Sequence, residues 1–215
     1  MFKAVIFDMD GVLIDSEPLQ LKRQKEYLDY LGVAVPDQEL IKMVGGNKKM
    51  YFDIISKYYS GEPNYRAYYQ KFQQYFKDRP INYRKLLNPD AIPLLKWLQK
   101  QALKLALASS GAPEKIKTVL TQCQLTQFFD PVISGNMFKQ SKPNPEIYNT
   151  VAAKLGLKNK QCVVIEDSDY GIAAGKNAGM FTIALKEERF PFSQAAADYL
   201  VDSLSDVKHV LADKI

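Results

Sequence analysis

Short runs of apolar residues that stop abruptly at polar ones recur along this chain. They occur at "KAVIFD" (residues 3–8), "LKLALASS" (103–110), "QCVVIEDS" (161–168), "MFTIAL" (180–185) and "DYLVDSL" (198–204). A continuous apolar run of this length reads as a strand buried on both faces. Between the runs, apolar residues return at helical spacing in "PDAIPLLKWLQKQ", "APEKIKTVLTQCQL", "PEIYNTVAAKLGL" and "GIAAGKNAG". Buried strands alternating with helices predict an α/β domain, a doubly wound Rossmann-like parallel sheet covered by helices on both faces.

Residues 16–82 break that alternation. They start with "SEPLQLKRQKEYLDYLG" and run from "DQELIKMVGG" to "YYQKFQQYFKDRP" with almost no strand signal. The segment is expected to be an all-helical domain inserted into a core formed by residues 1–15 and 83–215. Hinges are expected near Asp15 to Glu17 and near Pro80 to Tyr83. Tyrosines at helical spacing in the insert read as packing residues with a wet hydroxyl. Gly45 and Gly46 place a turn in "VGGNKK", the segment expected to close over a site.

Composition narrows the function. Hydrophobic residues make up 47% of 215, enough for a core of this size. The net charge of +5 is spread along the chain without a dense basic block, which argues for attraction of small anions and against nucleic acid. With no membrane-length apolar run, no signal-peptide pattern and no heptads, the expectation is a soluble, cytoplasmic monomer that binds no membrane. Cys123 and Cys162 lie in apolar segments without metal or redox spacing and read as buried free thiols. His209 is the sole histidine and sits in the C-terminal segment, so a histidine-based triad is not expected and a histidine-rich metal site is excluded. Chemistry must come from carboxylates, lysines and hydroxyls.

Those groups collect at one end of the predicted sheet, where open α/β sheets bind their ligands. The first strand ends at Asp8, with Asp10 two residues on; another ends at Ser109 and Ser110; a third ends at Glu166 and Asp167. Lys142 stands just ahead of a helix in "SKPNPEIY". Carboxylates clustered this way repel one another, and a divalent cation is their natural partner, with Asp8, Glu166 and Asp167 as hard oxygen ligands for Mg²⁺. With Mg²⁺, Lys142 and a protonated Asp10 the site is neutral and can accept a phosphate. The helix opening at Pro113 would add N–H donors. In this reading Asp8 attacks phosphorus, and Asp10 protonates the leaving alkoxide and then activates water.

These motifs resemble those of the haloacid-dehalogenase-like phosphohydrolases, in the branch containing β-phosphoglucomutase and small sugar-phosphate phosphatases. "DMDGVLIDSEP" resembles the family's first motif (Asp8, Asp10), "LASSG" the second (Ser109), "KPNPEIY" the third (Lys142) and "IEDSDYGIAAGKNAGM" the fourth (Glu166, Asp167). The resemblance covers nearly the whole chain. It implies a helical cap domain at residues 16–82 and Mg²⁺-dependent phosphotransfer through Asp8. It also implies an Asp10 backbone carbonyl facing the metal, and a Glu166 that acts partly through water. Family dehalogenases lack the second aspartate, so Asp10 marks phosphoryl chemistry.

Two positions depart from the mutases. Gln20 stands where a histidine is common, and "GGNKKM" offers Lys48 or Lys49 where the cap has an arginine that grips a second phosphate. Lysine meets phosphate as a point charge without the bidentate fork. With Ser110, these residues are the candidate substrate contacts. The expectation is a phosphatase of a small phosphorylated metabolite, a sugar or polyol phosphate. A β-phosphoglucomutase-type phosphomutase is the alternative, and a non-catalytic phosphometabolite-binding protein a remote one.

Overall fold

The computed structural model describes residues 1–42, 44–46 and 48–215. Asn47 of the expected closing segment "VGGNKK" lies outside the described residues. One six-stranded, all-parallel sheet runs through the molecule. Its strands are β1 (Ala4–Phe7), β2 (Lys104–Ser109), β3 (Val132–Ser134), β4 (Cys162–Glu166), β5 (Phe181–Leu185) and β6 (Tyr199–Val201), in the spatial order β3-β2-β1-β4-β5-β6. The order reverses between β1 and β4, which places a topological switch point there. β3 answers to no expected strand; the others fall within their predicted runs.

Strand alternation explains why the runs are apolar throughout. Val5, Phe7, Leu105, Leu107, Val163 and Ile165 enter one core with α5 (Ala91–Lys100), α6 (Pro113–Gln122) and α9 (Val207–Leu211). Ala4, Ile6, Ala106, Ala108, Cys162 and Val164 enter the other, under α7 (Glu146–Leu155) and α8 (Asp169–Asn177). Both faces of the sheet are thus dry, as parallel sheets require. Cys123 and Cys162 are buried and unpaired in these cores.

The segment after β1 forms α1 (Glu17–Tyr30), α2 (Asp37–Ile41), α3 (Lys48–Ile55) and α4 (Tyr65–Tyr75). These helices share an apolar cluster of their own that includes Tyr27, Leu28, Leu40, Phe52, Ile55, Tyr68 and Phe76. Asn64 caps α4 by accepting from the backbone N–H of Arg66 and Ala67. The two chain crossings between this region and the sheet run side by side: Asp15 N–H donates to the Leu86 carbonyl (2.8 Å) and Asn88 N–H to the Leu13 carbonyl (2.9 Å). No helix among the described residues is long and apolar enough to cross a membrane.

Candidate active site

Register brings the motif residues together. Phe7 pairs with Leu107 on one side and Ile165 on the other. The next residue of each strand, Asp8, Ala108 and Glu166, therefore emerges at the same edge of the sheet. Lys142, from the loop before α7, reaches all three. Its ammonium donates to Asp8 Oδ1 (2.6 Å), Glu166 Oε1 (2.6 Å) and the Ala108 carbonyl (3.1 Å). Burial by itself would lower the Lys142 pKa, but Asp8 and Glu166 outweigh it and hold it well above the ordinary lysine value.

The carboxylates differ in how much coordination capacity they have left. Among the described residues, Glu166 accepts from five donors: Lys142 and the Tyr148 hydroxyl at Oε1, and Asp167 N–H, Ser168 N–H and the Ser168 hydroxyl at Oε2. Asp8 has Oδ1 tied to Lys142. The side-chain oxygens of Asp167 receive no hydrogen bond from the described residues, although the residue is only 3% exposed. Burial raises the Asp167 carboxyl well above the usual range, and Glu166 and Asp8 raise it further. Burial likewise lifts Asp8 to about 7, with Lys142 pulling down and Glu166 and Asp10 pushing up.

Such a cluster fits a divalent cation. Oxygens of Asp8, Glu166 and Asp167 lie within 4.8 Å of one another. Asp167 makes no ion pair among the described residues and feels Lys142 only at a distance; a hard cation would supply the missing charge. Space for its carboxylate depends on Gly11, where a Cβ would come within 1.9 Å of Asp167 Oδ2 and where φ is +82°. Among the three, Glu166 is the carboxylate whose capacity the protein already fills.

Among the described residues, three side chains hold Asp10. The Ser16 hydroxyl and Gln20 Nε2 (3.4 Å) donate to its Oδ1, and Lys115 donates to Oδ1 (2.7 Å) and Oδ2 (2.8 Å). Ser109 is buried at the end of β2, and its Oγ accepts from Gly111 N–H (3.0 Å), which leaves the hydroxyl hydrogen to donate elsewhere. Asp8, Asp10, Ser109, Ser110, Lys142, Glu166, Asp167, Gln20 and Lys48 all line one cavity of about 400 Å³ between the sheet edge and the helical segment. The Lys48 ammonium sits over the Tyr69 ring, 5.0 Å from its centroid.

Lys49 is not brought to this site. It makes an exposed ion pair with Asp53 one turn on (2.6 Å), on a face of α3 about 100° from Lys48. Conversely, the site contains residues to which the sequence assigns no role. The sequence marks Lys115 only as part of an amphipathic helix, although it points the first turn of that helix toward the site. Tyr148, three residues past Pro145 in "KPNPEIY", does not line the cavity; it is fully buried and meets the site by donating to Glu166 Oε1. Glu17, Arg23, Gln24, Tyr51 and Tyr69 also line the cavity, and only the three-dimensional packing of α1, α3 and α4 reveals this.

The chain is similar to several known proteins. The family model described as haloacid dehalogenase-like hydrolase matches residues 5–185. Hexitol phosphatase B of Escherichia coli K12 is 34% identical over 189 residues, covering 85% of this chain and 82% of the relative. Phosphorylated carbohydrates phosphatase of Thermotoga maritima is 29% identical over 178 residues, covering 83% of this chain and 82% of the relative. The crystal structure of β-phosphoglucomutase from Clostridium difficile shares the fold, with a TM-score of 0.81 at 22% identity, covering 100% of this chain and 96% of that one.

Proposed function

This chain belongs to the haloacid dehalogenase-like hydrolases, and on that premise we propose that it is a Mg²⁺-dependent phosphatase of small sugar or polyol phosphates that works through a phosphorylated Asp8. The observation that carries the reading is the shared edge where Lys142 holds Asp8 beside the buried Asp167 carboxylate. Mg²⁺ would be held by Asp8, Asp167 and the Asp10 backbone carbonyl, and would supply positive charge against the phosphoryl oxygens. Glu166, saturated by protein donors, would orient Lys142 rather than bind the metal through an open oxygen.

The protein's own groups divide the work. Lys142 fixes Oδ1 of Asp8 and leaves the other oxygen to attack phosphorus, while the P–O bond to the leaving group breaks. Asp10 gives that alkoxide a proton. In the second half Asp10 takes a proton from water as the water attacks phosphorus, and the P–O bond to Asp8 breaks, returning the free carboxylate. The Ser109 hydroxyl and first-turn N–H groups of α6 donate to the phosphoryl oxygens. Residues 16–82 act as a helical cap whose closure excludes bulk water.

The cavity wall supports a hydroxylated leaving group. Gln24 Oε1 is buried without a partner among the described residues, and Gln24 and Tyr51 both line the cavity. Buried polar atoms seek partners, and the hydroxyls of a sugar or polyol supply them. Leu21, Leu40 and Phe72 offer apolar surface to its C–H faces. The names of the two relatives point to the same substrate class. The test is phosphate release from hexitol, pentitol, sugar and nucleotide monophosphates with Mg²⁺ and with chelator, beside conversion of β-glucose 1-phosphate to glucose 6-phosphate. Metal-dependent release from polyol or sugar phosphates is expected. Release from none of them would overturn the reading, and conversion without release would make the protein a mutase.

A further inference from the structure

Lys115 sits where local electrostatics disfavour it. It is the third residue of α6, after Pro113 and Glu114, and the positive end of a helix dipole repels a cation in the first turn. Lys48, across the cavity, has its ammonium pKa lowered by burial and then by Lys115, so the two cations also oppose each other. A residue that breaks local preferences this way is expected to have a compensating contact. Here that contact is the Asp10 carboxylate, at 2.7 and 2.8 Å from the Lys115 ammonium.

Asp10 is thereby gripped from two sides. Ser16 and Gln20, at the crossing from the sheet and on α1, reach Oδ1 alone. Lys115, on a helix packed against the sheet, reaches both oxygens and is the one donor to Oδ2 among the described residues, with a longer third contact to Gln20 Oε1 on α1 (3.5 Å). A shift of α1 relative to the sheet would release the Gln20 contacts, the one to Lys115 included, and leave the two Lys115 bonds to Asp10. Resting on the phosphatase reading above, we propose that Lys115 is the positioning residue for Asp10: it fixes the proton-transferring carboxylate to the sheet side of the cavity, whatever the position of α1. Two convergent hydrogen bonds from one ammonium set the direction of the carboxylate, which is what general acid–base transfer requires.

Leaving groups separate this role from a structural one. The kcat/KM of a double-displacement phosphatase reports phosphoryl transfer to Asp8, which needs a general acid when the leaving group is an alkoxide and scarcely needs one when it is p-nitrophenolate. Lys115→Met is expected to lower kcat/KM for a polyol phosphate by roughly 10- to 100-fold, part of the total that general acid catalysis supplies. The loss with p-nitrophenyl phosphate is expected to be several times smaller. Lys115→Arg, which keeps two donors, should recover most of the difference. In a cycle with Asp10→Asn, the double variant should be little slower than Asp10→Asn alone.

Equal losses on both esters, or losses that multiply with Asp10→Asn, would show that Lys115 acts elsewhere and overturn the proposal. Thermal unfolding of each variant separates a folding defect, and Lys115→Arg gives a reading if Lys115→Met fails to fold. If the wild-type protein hydrolyses no ester with Mg²⁺, it is the phosphatase reading that falls.

Discussion

The Lys142 ammonium lies 2.6 Å from Asp8 and is among the most buried charges in the molecule, at 4% side-chain exposure. The same ammonium meets Glu166 at 2.6 Å. Removing it strands two buried carboxylates. Lys142→Met is therefore expected to abolish turnover and to lower unfolding free energy by about 3 kcal/mol, the low end for a broken buried pair. Urea denaturation in chelator measures the second effect; a change within about 0.5 kcal/mol, the range of an ordinary surface substitution, would contradict the role given to Lys142.

Stability should depend on pH in an unusual direction. Burial raises Asp8 to about 7 and Glu17 to about 8. A carboxyl whose folded pKa is raised binds more protons folded than unfolded, so stability is full below the unfolded value and declines as pH rises through the folded one. Metal-free protein is thus expected to lose melting temperature between about pH 4 and pH 8 from these groups. Mg²⁺ favours ionised Asp8, so its stabilising effect should be larger at pH 8 than at pH 5. Melting curves with Mg²⁺ and with chelator check this; a pH-independent gap between them would count against a metal at Asp8.

Gly11 makes room for the Asp167 carboxylate. In Gly11→Ala the new Cβ would stand 1.9 Å from Asp167 Oδ2, on a backbone with φ +82°. The substitution is expected to weaken Mg²⁺ binding at least about tenfold, as displacing a ligand's supporting group does. Calorimetric titration of Mg²⁺ is the direct measurement.

Lys48 and Lys49 should behave differently despite adjacent positions. Lys48 lines the cavity, whereas Lys49 pairs with Asp53 on an exposed face. Lys48→Ala is expected to raise KM for the preferred ester severalfold, while Lys49→Ala leaves kcat and KM within about twofold, as for surface substitutions distant from a site. Steady-state kinetics on both variants decides it.

The sheet was legible because parallel strands buried on both faces must be apolar throughout, and a carboxylate ending such a run is conspicuous. Asp8, Glu166 and Asp167 were readable for that reason, and Lys142 because its motif precedes a helix. β3 escaped because Val132–Ser134 is too short to show a pattern. Lys48 and Lys49 could not be told apart until the phase of α3 was known, since neighbouring helical residues point about 100° apart. Three of the five donors on Glu166 belong to Asp167 and Ser168, so its saturation depends on local backbone geometry that no residue type announces. Lys115 was hidden by the same limit: helical periodicity marks the buried stripe of α6 and says nothing of which carboxylate its other face meets.

Attack by Asp8 is the central claim, and the steric course at phosphorus tests it most directly. An isotopically chiral phosphorothioate monoester of the preferred substrate would be hydrolysed in isotopically labelled water, and the configuration of the released thiophosphate determined. Two successive in-line displacements, first by Asp8 and then by water, give net retention, the expected result. Net inversion would mean that water attacks the substrate directly and that Asp8 never carries the phosphoryl group.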